Sequence, residues 1–229
     1  EGFARSCGAE ITALSVVNDG KQDVYAYEYT QKGQPLSALI SEILAQAMKK
    51  LPIPKVMRWG SSTHTFVRPV HGLVVMHGAD TVAAEVLGLT SQNATLGHRF
   101  LSDGQIVFAD ADAYAEQMRT QGKVIASFAE RKAAIQAALN EQAGRLNATV
   151  AADEALLDEV TALVEWPVVL EAGFEAHFLQ VPQECLILTM QQNQKYFPLL
   201  DADGKLMNRF LLVSNLQAAD PSHIIHGNE

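Results

Sequence analysis

The stretch that organises the chain is residues 51–71, LPIPKVMRWGSSTHTFVRPVH, which combines closely spaced prolines with a run of cations. No acidic residue occurs between Glu42 and Asp80. Basic residues in that gap are Lys49, Lys50, Lys55, Arg58 and Arg68. The whole protein has 17 basic and 26 acidic side chains and a net charge of −9. This basic window is therefore a local feature that the overall composition does not predict.

The backbone of the basic window is predicted to be stiff. Pro52 and Pro54 fix their own φ angles and bias the preceding residues away from helix, which predicts an extended connector over 51–55. Gly60 and the Ser-Ser-Thr run after it indicate a turn, and residues 68–71 lead into a predicted buried strand over 73–76. Two interpretations remain open. The cations line a solvated edge with Trp59 in the core, or they contact an anionic polymer while Trp59 offers a stacking face.

Length and composition indicate a globular protein. The chain has 229 residues, of which 48% are hydrophobic and 19% charged, which suits one large domain or two small ones. No apolar run approaches the roughly 20 residues of a membrane helix, and no signal peptide opens the chain. Cys7 and Cys185 lie far apart, which favours two buried, reduced thiols over a disulfide. We therefore expect a cytoplasmic protein without a membrane partner.

Charge is divided unevenly between the two halves of the chain. Residues 1–100 contain nine basic and eight acidic side chains, whereas residues 101–229 contain eight basic and eighteen acidic ones. A nucleic-acid partner should therefore contact the first half, and the overall acidity argues against DNA. Because the chain begins at Glu1 rather than methionine, we expect it to be a piece of a longer protein.

Hydrophobic periodicity predicts a mixed α+β fold with two domains. Residues 18–20, Asn-Asp-Gly, indicate a hairpin turn. The apolar stripe from Leu36 to Leu51 indicates a helix, so that residues 1–50 form a flanking segment with a hairpin and a helix. Residues 51–229 form the second domain. Strands over 70–76 and 82–89 are predicted to pair there as one hairpin.

A helical section is predicted over about residues 110–165 of the second domain. Asp110 or Asp112 can cap its first helix, and Ser127 with Glu130 forms a capping box for the longest one. Asp153 opens a third helix, with Leu163 on its inner face. A strand at 168–170, a helix from Pro182 and a hairpin over 196–213 complete the domain.

The sequence lacks several catalytic and metal-binding signatures. It has no Gly-rich phosphate loop, no G-x-S-x-G and no zinc spacing among its histidines. Asp201-x-Asp203-Gly204 has its glycine in the wrong register for a calcium loop and predicts a tight turn. His71 and His98 have no identifiable partner, so that no nucleophile and base pair is apparent. No catalytic residue and no metal site are predicted.

Several polar residues could instead grip RNA, because basic side chains hold phosphates while aromatic rings stack on unpaired bases. The RNA-contact candidates are Lys55, Arg58, Arg68, His71, His98, Arg99, Lys195 and Tyr196. Lys195 also has a structural interpretation, as a lysine whose stem covers apolar surface. Gly97 is predicted to allow an unusual backbone angle that sets His98 and Arg99 in place.

Six short motifs resemble those of the β subunit of bacterial glycyl-tRNA synthetase, in the order found in that family. They lie at residues 51–60, 66–71, 97–100, 163–167, 194–198 and 214–229. The resemblance is closest from about residue 50 onward. It implies that the chain is an internal portion of such a subunit. It also implies that residues 51–229 are similar to the B3/4 domain of the phenylalanyl-tRNA synthetase β chain.

The resemblance also implies a function. In that family a cytoplasmic heterotetramer joins glycine to its tRNA, and the α subunit uses ATP with Mg while the β subunit binds tRNA. The expected partners are thus the α subunit and the tRNA for glycine. This portion is expected to position tRNA or brace the assembly, without catalysis or a cofactor of its own.

Two alternatives to that function remain. The domain could hold an editing pocket that hydrolyses mischarged tRNA, or it could provide a docking surface for the α subunit. Glycine is the smallest amino acid, so a tight synthetic site can exclude larger competitors without a second sieve. This argues against a need for editing.

Overall fold

The computed structural model describes residues 1–228, and Glu229, the last residue of the final motif, lies outside the described part. The chain forms two compact units, Glu1–Lys50 and Leu51–Glu229. Both helices and small antiparallel sheets are present, so the predicted α+β class is confirmed. Among residues 1–228, no helix has the length and hydropathy needed to cross a membrane.

The bounds of the regular elements are as follows. The helices are α1 Gly2–Cys7, α2 Leu36–Lys50, α3 Tyr114–Thr120, α4 Phe128–Arg145, α5 Glu154–Leu163, α6 Gln183–Thr189 and α7 Ser222–His226. The strands are β1 Ser15–Asn18, β2 Asp23–Ala26, β3 Met57–Arg58, β4 Thr65–Phe66, β5 Met76–His77, β6 Asp80–Thr81, β7 Glu85–Val86, β8 Leu89–Thr90, β9 Ala94–Leu96, β10 Gln105–Val107, β11 Thr149–Val150, β12 Val168–Gly173, β13 Phe197–Leu200 and β14 Leu206–Ser214. A π-helical segment, Met190–Gln194, follows α6 directly.

The first unit contains the predicted hairpin and helix. Strands β1 and β2 pair antiparallel, and the side-chain oxygen of Asn18 accepts the N–H of Gly20 at 2.9 Å within the turn. Helix α2 begins immediately after Pro35, whose missing N–H is not needed at a helix start. Both predictions are confirmed.

A four-stranded antiparallel sheet forms the centre of the second unit, in the order β11-β13-β14-β12. Side chains of β14 alternate between its two faces. Leu211 packs with residues of α4 and α5, while Phe210 and Leu212 pack with Met190 and with α7. The continuous apolar run of β14 is therefore explained by burial on both sides of the sheet.

Helices α4 and α5 begin at the predicted caps. Ser127 Oγ accepts the N–H of Glu130 at 3.3 Å, and Asp153 Oδ1 accepts the N–H of Leu156 at 2.8 Å. The carboxylate of Glu130 pairs with Arg119, so the reciprocal half of the capping box is absent. The prediction for Leu163 is wrong. This residue closes α5 and is 63% exposed.

Residues 70–89 do not form the single hairpin that the sequence predicts. Two short hairpins are present instead, β5–β6 and β7–β8, each with strands of two residues. The turn between β7 and β8 places Leu87 at φ 55° and Gly88 at φ 74°. Positive φ at both central residues is the type I′ geometry of tight hairpins. A leucine at the first of these positions gives no such signal, which explains the error.

A second, smaller core lies below these hairpins and beside α3. Ile106, Phe108 and Met118 are buried there, and Asp110 Oδ1 accepts the N–H of Asp112 at the turn that leads into α3. Asp110, rather than Asp112, is therefore the cap. This core supports the segment from which the candidate surface emerges.

The two cysteines are free thiols, as predicted. Cys7 is half-buried, but Cys185 is exposed on α6, a helix with no buried residue. The prediction that both thiols are buried is therefore wrong for Cys185.

Candidate nucleic-acid interface

Arg58 lies on a small hairpin within the basic window. Its strand β3 pairs with β4, with Arg58 opposite Thr65, and Gly60 at φ 57° supplies the turn. The imidazole of His64 lies against the neighbouring β7–β8 turn. The approach is so close that a Cβ added to Gly88 would be only 2.9 Å from His64 Nε2. This packing holds the hairpin to the rest of the unit and leaves the Arg58 side chain exposed.

Lys55, Arg68 and His71 lie on irregular backbone rather than on strands, and all three are exposed. The expectation that Arg68 and His71 lead directly into a long strand is therefore not met, since regular pairing begins only at β5. Throughout residues 1–228, neither Lys55 nor Arg68 forms an ion pair, and the same is true of Arg58.

His98 is buried, with 2% of its surface exposed. Its Nδ1 accepts the backbone N–H groups of Phe100 and Leu101, each at 3.2 Å. Its Nε2 lies 2.6 Å from the carbonyl oxygen of Asn215, and must therefore carry the proton and donate it. The expectation that His98 has no partner is wrong. A buried ring with both nitrogens engaged cannot touch an external ligand, and its role is to position Arg99 and Phe100.

Asn215 joins three of the six sequence motifs. Its carbonyl accepts from His98, while its side-chain Oδ1 accepts the backbone N–H groups of Glu165 and Trp166 at 2.8 and 2.9 Å. Residues 97–100, 163–167 and 214–216 therefore meet at one point. Sequence reasoning included Asn215 in a motif but assigned it no role, because its partners are 49 or more residues away.

Gly97 owes its place to close packing rather than to an unusual backbone angle. It does not adopt the left-handed conformation. A Cβ at this position would lie 2.5 Å from the Cα and the carbonyl oxygen of Gly122, and His98 N–H donates to that same carbonyl at 2.7 Å. Two glycine backbones in contact thus join the segment that carries Arg99 to the one that carries Lys123.

Each of these two cations lies over an aromatic ring. The Arg99 guanidinium is 5.6 Å from the ring centroid of Phe100, and Lys123 Nζ is 5.5 Å from that of Trp166. Arg99 is exposed, and 72% of Phe100 is exposed. Trp166 is half-buried and directs its indole N–H to Gln217 at 3.3 Å. The arrangement can offer both positive charge and an aromatic face to a ligand.

Lys195 and Tyr196 are engaged within the fold. Lys195 Nζ pairs with Glu159 Oε1 at 2.9 Å. The Tyr196 ring stacks on Phe210 with centroids 4.4 Å apart, and its hydroxyl donates to Asn228 Oδ1 at 2.8 Å. Burial raises the pKa of the Tyr196 phenol. One ring face and the hydroxyl are thus occupied by the protein itself.

No group of three or more His, Cys, Asp or Glu side chains in residues 1–228 is placed to hold a metal ion.

The predicted tight turn at Asp201 is confirmed, because Asp201 Oδ1 accepts the N–H groups of Asp203 and Lys205, each at 2.9 Å. A groove of about 890 Å³ along α4 is lined by Lys132, Gln136 and Asn140 among others, and by no histidine or cysteine.

The chain belongs to the family whose model is described as "Glycyl-tRNA synthetase beta subunit", which matches residues 1–229. Among curated relatives, it is 77% identical over 229 residues to the glycine–tRNA ligase β subunit of Neisseria gonorrhoeae. It is 78% identical over 229 residues to that of Neisseria meningitidis serogroup B. Identity to the corresponding subunit of Aromatoleum aromaticum is 51% over 211 residues, or 92% of this chain.

The matches cover the whole chain in both Neisseria comparisons but 33% of the relatives' length, and 30% in the third. The chain thus spans about a third of the curated relatives that it matches. The resemblance based on the six motifs is confirmed at the level of the family.

Proposed function

We propose that this chain is a non-catalytic module of a glycine–tRNA ligase β subunit that positions tRNA and supports assembly with the α subunit. The observation that carries the proposal is a set of exposed cations that have no carboxylate partner within residues 1–228. The set consists of Lys55, Arg58, Arg68 and Arg99. Contacts from such cations to phosphates supply most of the affinity of proteins for nucleic acids.

The acidic half of the chain supports this assignment by contrast. Five of the eight lysine and arginine residues there form ion pairs with neighbouring carboxylates: Arg119, Lys132, Arg145, Lys195 and Arg209. Their charge is neutralised within the fold. The cations of the basic window keep theirs available, so they can attract an RNA backbone to an otherwise acidic protein.

We infer the domain architecture and the cellular setting as well. Residues 51–229 form a B3/4-like domain, supported by the four-stranded antiparallel sheet covered by α4 and α5, and residues 1–50 form a flanking segment. The reaction with ATP and Mg belongs to the α subunit of the assembled enzyme. The setting is the cytoplasm, in keeping with the free thiols of Cys7 and Cys185.

Editing receives less support from the geometry. Both nitrogens of His98 are committed to backbone groups, so this ring cannot act as a general base without breaking the contacts that hold it. His71 is exposed on irregular backbone. The RNA-positioning role requires only that the basic side chains are exposed, as they are in this fold.

Charge reversal in the assembled enzyme tests the proposal. Arg58→Glu, Arg68→Glu and Arg99→Glu, made singly in the full-length β subunit together with α, should each raise the KM for tRNA several-fold. Each lost phosphate contact should lower the slope of log affinity against log salt by about one. The KM values for glycine and ATP in adenylate formation should not change. Arg145→Glu is the matched control, because it makes the same change on α4.

The outcomes separate the candidate functions. Unchanged tRNA kinetics in all three variants, with an intact fold, would overturn the proposal. Loss of α-subunit binding, with normal tRNA affinity in the remaining complex, would assign the surface to docking of α. Deacylation of alanyl- or seryl-tRNA bearing the glycine acceptor and anticodon by the full-length β subunit would instead establish editing.

A further inference from the structure

We propose that Phe100 and Trp166, with Arg99 and Lys123, form a stacking site for unpaired RNA nucleotides. We call these four residues the stacking site. The inference rests on the proposed function and deepens it, because it adds contact with base faces to contact with phosphates.

Phe100 is exposed, yet its backbone is held in place. The side chain is 72% exposed, although burying a phenylalanine normally gains free energy. Its backbone N–H is bound to Nδ1 of the buried His98, as is that of Leu101. His98 is itself tied to Asn215 and to Gly122. The ring thus projects into water from a backbone held by buried hydrogen bonds.

The two cation–aromatic pairs are linked to each other through hydrogen bonds. The backbone carbonyl of Asn215 accepts a hydrogen bond from the His98 ring, and its side-chain Oδ1 accepts one from the backbone N–H of Trp166. The neighbour of Lys123 in sequence, Gly122, accepts the N–H of His98 at 2.7 Å. Both pairs are therefore attached to the same small group of hydrogen-bonded residues and keep a fixed relation to each other.

The charges around the stacking site indicate the class of ligand. Asp103 and Glu165 are the acidic residues closest in sequence to the stacking site. Within residues 1–228, neither forms an ion pair with Arg99 or Lys123. Each exposed or half-exposed ring therefore comes with an available positive charge. Aromatic rings for bases beside cations for phosphates are the usual means of binding single-stranded nucleic acid. Protein interfaces also use arginine and aromatic side chains but are depleted in lysine, so the pairing of Lys123 with Trp166 favours a nucleic acid.

The rings of the stacking site favour unpaired nucleotides as the ligand. Inside a duplex, each base has both faces covered by its neighbours, so an aromatic side chain can stack only on a base that is unpaired. The stacking site should therefore bind a single-stranded part of tRNA, while the Lys55, Arg58 and Arg68 side chains contact the phosphate backbone.

The test measures RNA binding by the full-length β subunit assembled with α. Phe100→Ala should weaken binding of the tRNA for glycine about tenfold. The salt dependence should stay as in the wild type, because no charge is removed. Phe100→Trp should restore the affinity. Binding of a fully base-paired RNA duplex should be equal in all these proteins.

Phe128→Ala is the matched control. Phe128 is 44% exposed and carries Arg131 at 5.7 Å from its ring centroid, so the same kind of pair is removed from α4. This variant should bind tRNA normally. Because both phenylalanines are exposed, Phe100 to 72% and Phe128 to 44%, neither substitution should prevent folding, which thermal unfolding of each variant checks.

Each other outcome counts against the stacking site in a recognisable way. Normal tRNA affinity in Phe100→Ala, with weakened binding in the Arg58 and Arg68 variants, would overturn the stacking site and leave the proposed function standing. Equal losses for tRNA and duplex would also overturn it. Loss of α-subunit binding in place of tRNA affinity would show that Phe100 contacts protein. Normal binding in every variant would overturn the proposed function itself.

Discussion

In the region of the four-stranded sheet, α4 and α5, ion pairs with carboxylates are formed by Lys132, Lys195 and Arg209. In the region of short hairpins, residues 57–107, Arg58 and Arg99 are exposed to water. The sheet region has long elements and two apolar cores. The hairpin region has strands of two or three residues and a core of three buried side chains. Charges in the first region serve the fold, and those in the second remain available to a ligand.

The largest effect on stability should come from the sheet core. Phe197 is completely buried between the sheet and α4 and α5, so Phe197→Ala should lower the free energy of unfolding by about 3–5 kcal/mol. Val107, which is 57% exposed on the hairpin β9–β10, is the control. Val107→Ala should change the free energy of unfolding by less than about 0.5 kcal/mol. Urea unfolding of the β subunit measures both, and equal losses would show that the regions do not differ as described.

The next effect tests the contact between Gly97 and Gly122. Gly97→Ala would place a methyl group 2.5 Å from Gly122 and from Ser102 Oγ. The forced backbone shift should cost about 1–3 kcal/mol of unfolding free energy. Gly144→Ala in α4 is the control, since a Cβ there meets nothing within 4 Å. Alanine is more favourable in a helix than glycine, so this change should raise the free energy of unfolding by about 0.5–1 kcal/mol. A stable Gly97→Ala protein would mean that the loop can adjust.

A smaller effect is expected at Tyr196. Tyr196→Phe keeps the stacking on Phe210 but removes the hydrogen bond to Asn228, which should cost about 1 kcal/mol near neutral pH. Because burial raises the phenol's pKa in the folded state, its contribution is complete below the ordinary pKa of about 10 and falls as pH rises through the folded value. The urea midpoints of the wild type and of Tyr196→Phe should therefore differ at neutral pH and converge at alkaline pH. A constant gap would contradict this account.

The smallest effect should come from the unpaired cations. Arg58→Gln and Arg68→Gln should change the free energy of unfolding by less than about 0.5 kcal/mol, because neither side chain has an ion-pair partner in residues 1–228. Lys195→Gln removes a half-exposed pair with Glu159 and should cost up to about 1 kcal/mol. Thermal unfolding at low and high salt would measure these differences. A large loss at Arg58 would assign it a structural role.

The regular elements with local signals could be predicted from the sequence. Ser127 and Asp153 cap helices with hydrogen bonds to residues three positions later, and the Asp201 turn closes through its own side chain. These interactions depend on neighbours in the sequence, so their residue types are sufficient evidence. The β7–β8 turn escaped prediction because Leu87 adopts a backbone conformation that its side chain does not favour.

The candidate surface could be predicted only in part. The charge pattern indicates the cations of residues 55–68, since exposure of a basic side chain needs no particular partner. The roles of His98 and Asn215 depend on a contact across 117 residues of sequence, and no local pattern contains that information. The same holds for Tyr196, whose ring is engaged by Phe210 on another strand.

The order of strands in the main sheet has a consequence for the chain as it is made. Its two inner strands, β13 and β14, are the last of its four strands to leave the ribosome. The apolar faces of α4 and α5 emerge well before Phe197 and Leu211, the side chains that cover them. Until those strands emerge, this stretch remains without its partner surface, so it is a part of the nascent polypeptide where chaperones should bind and where termination before β13 should cause aggregation.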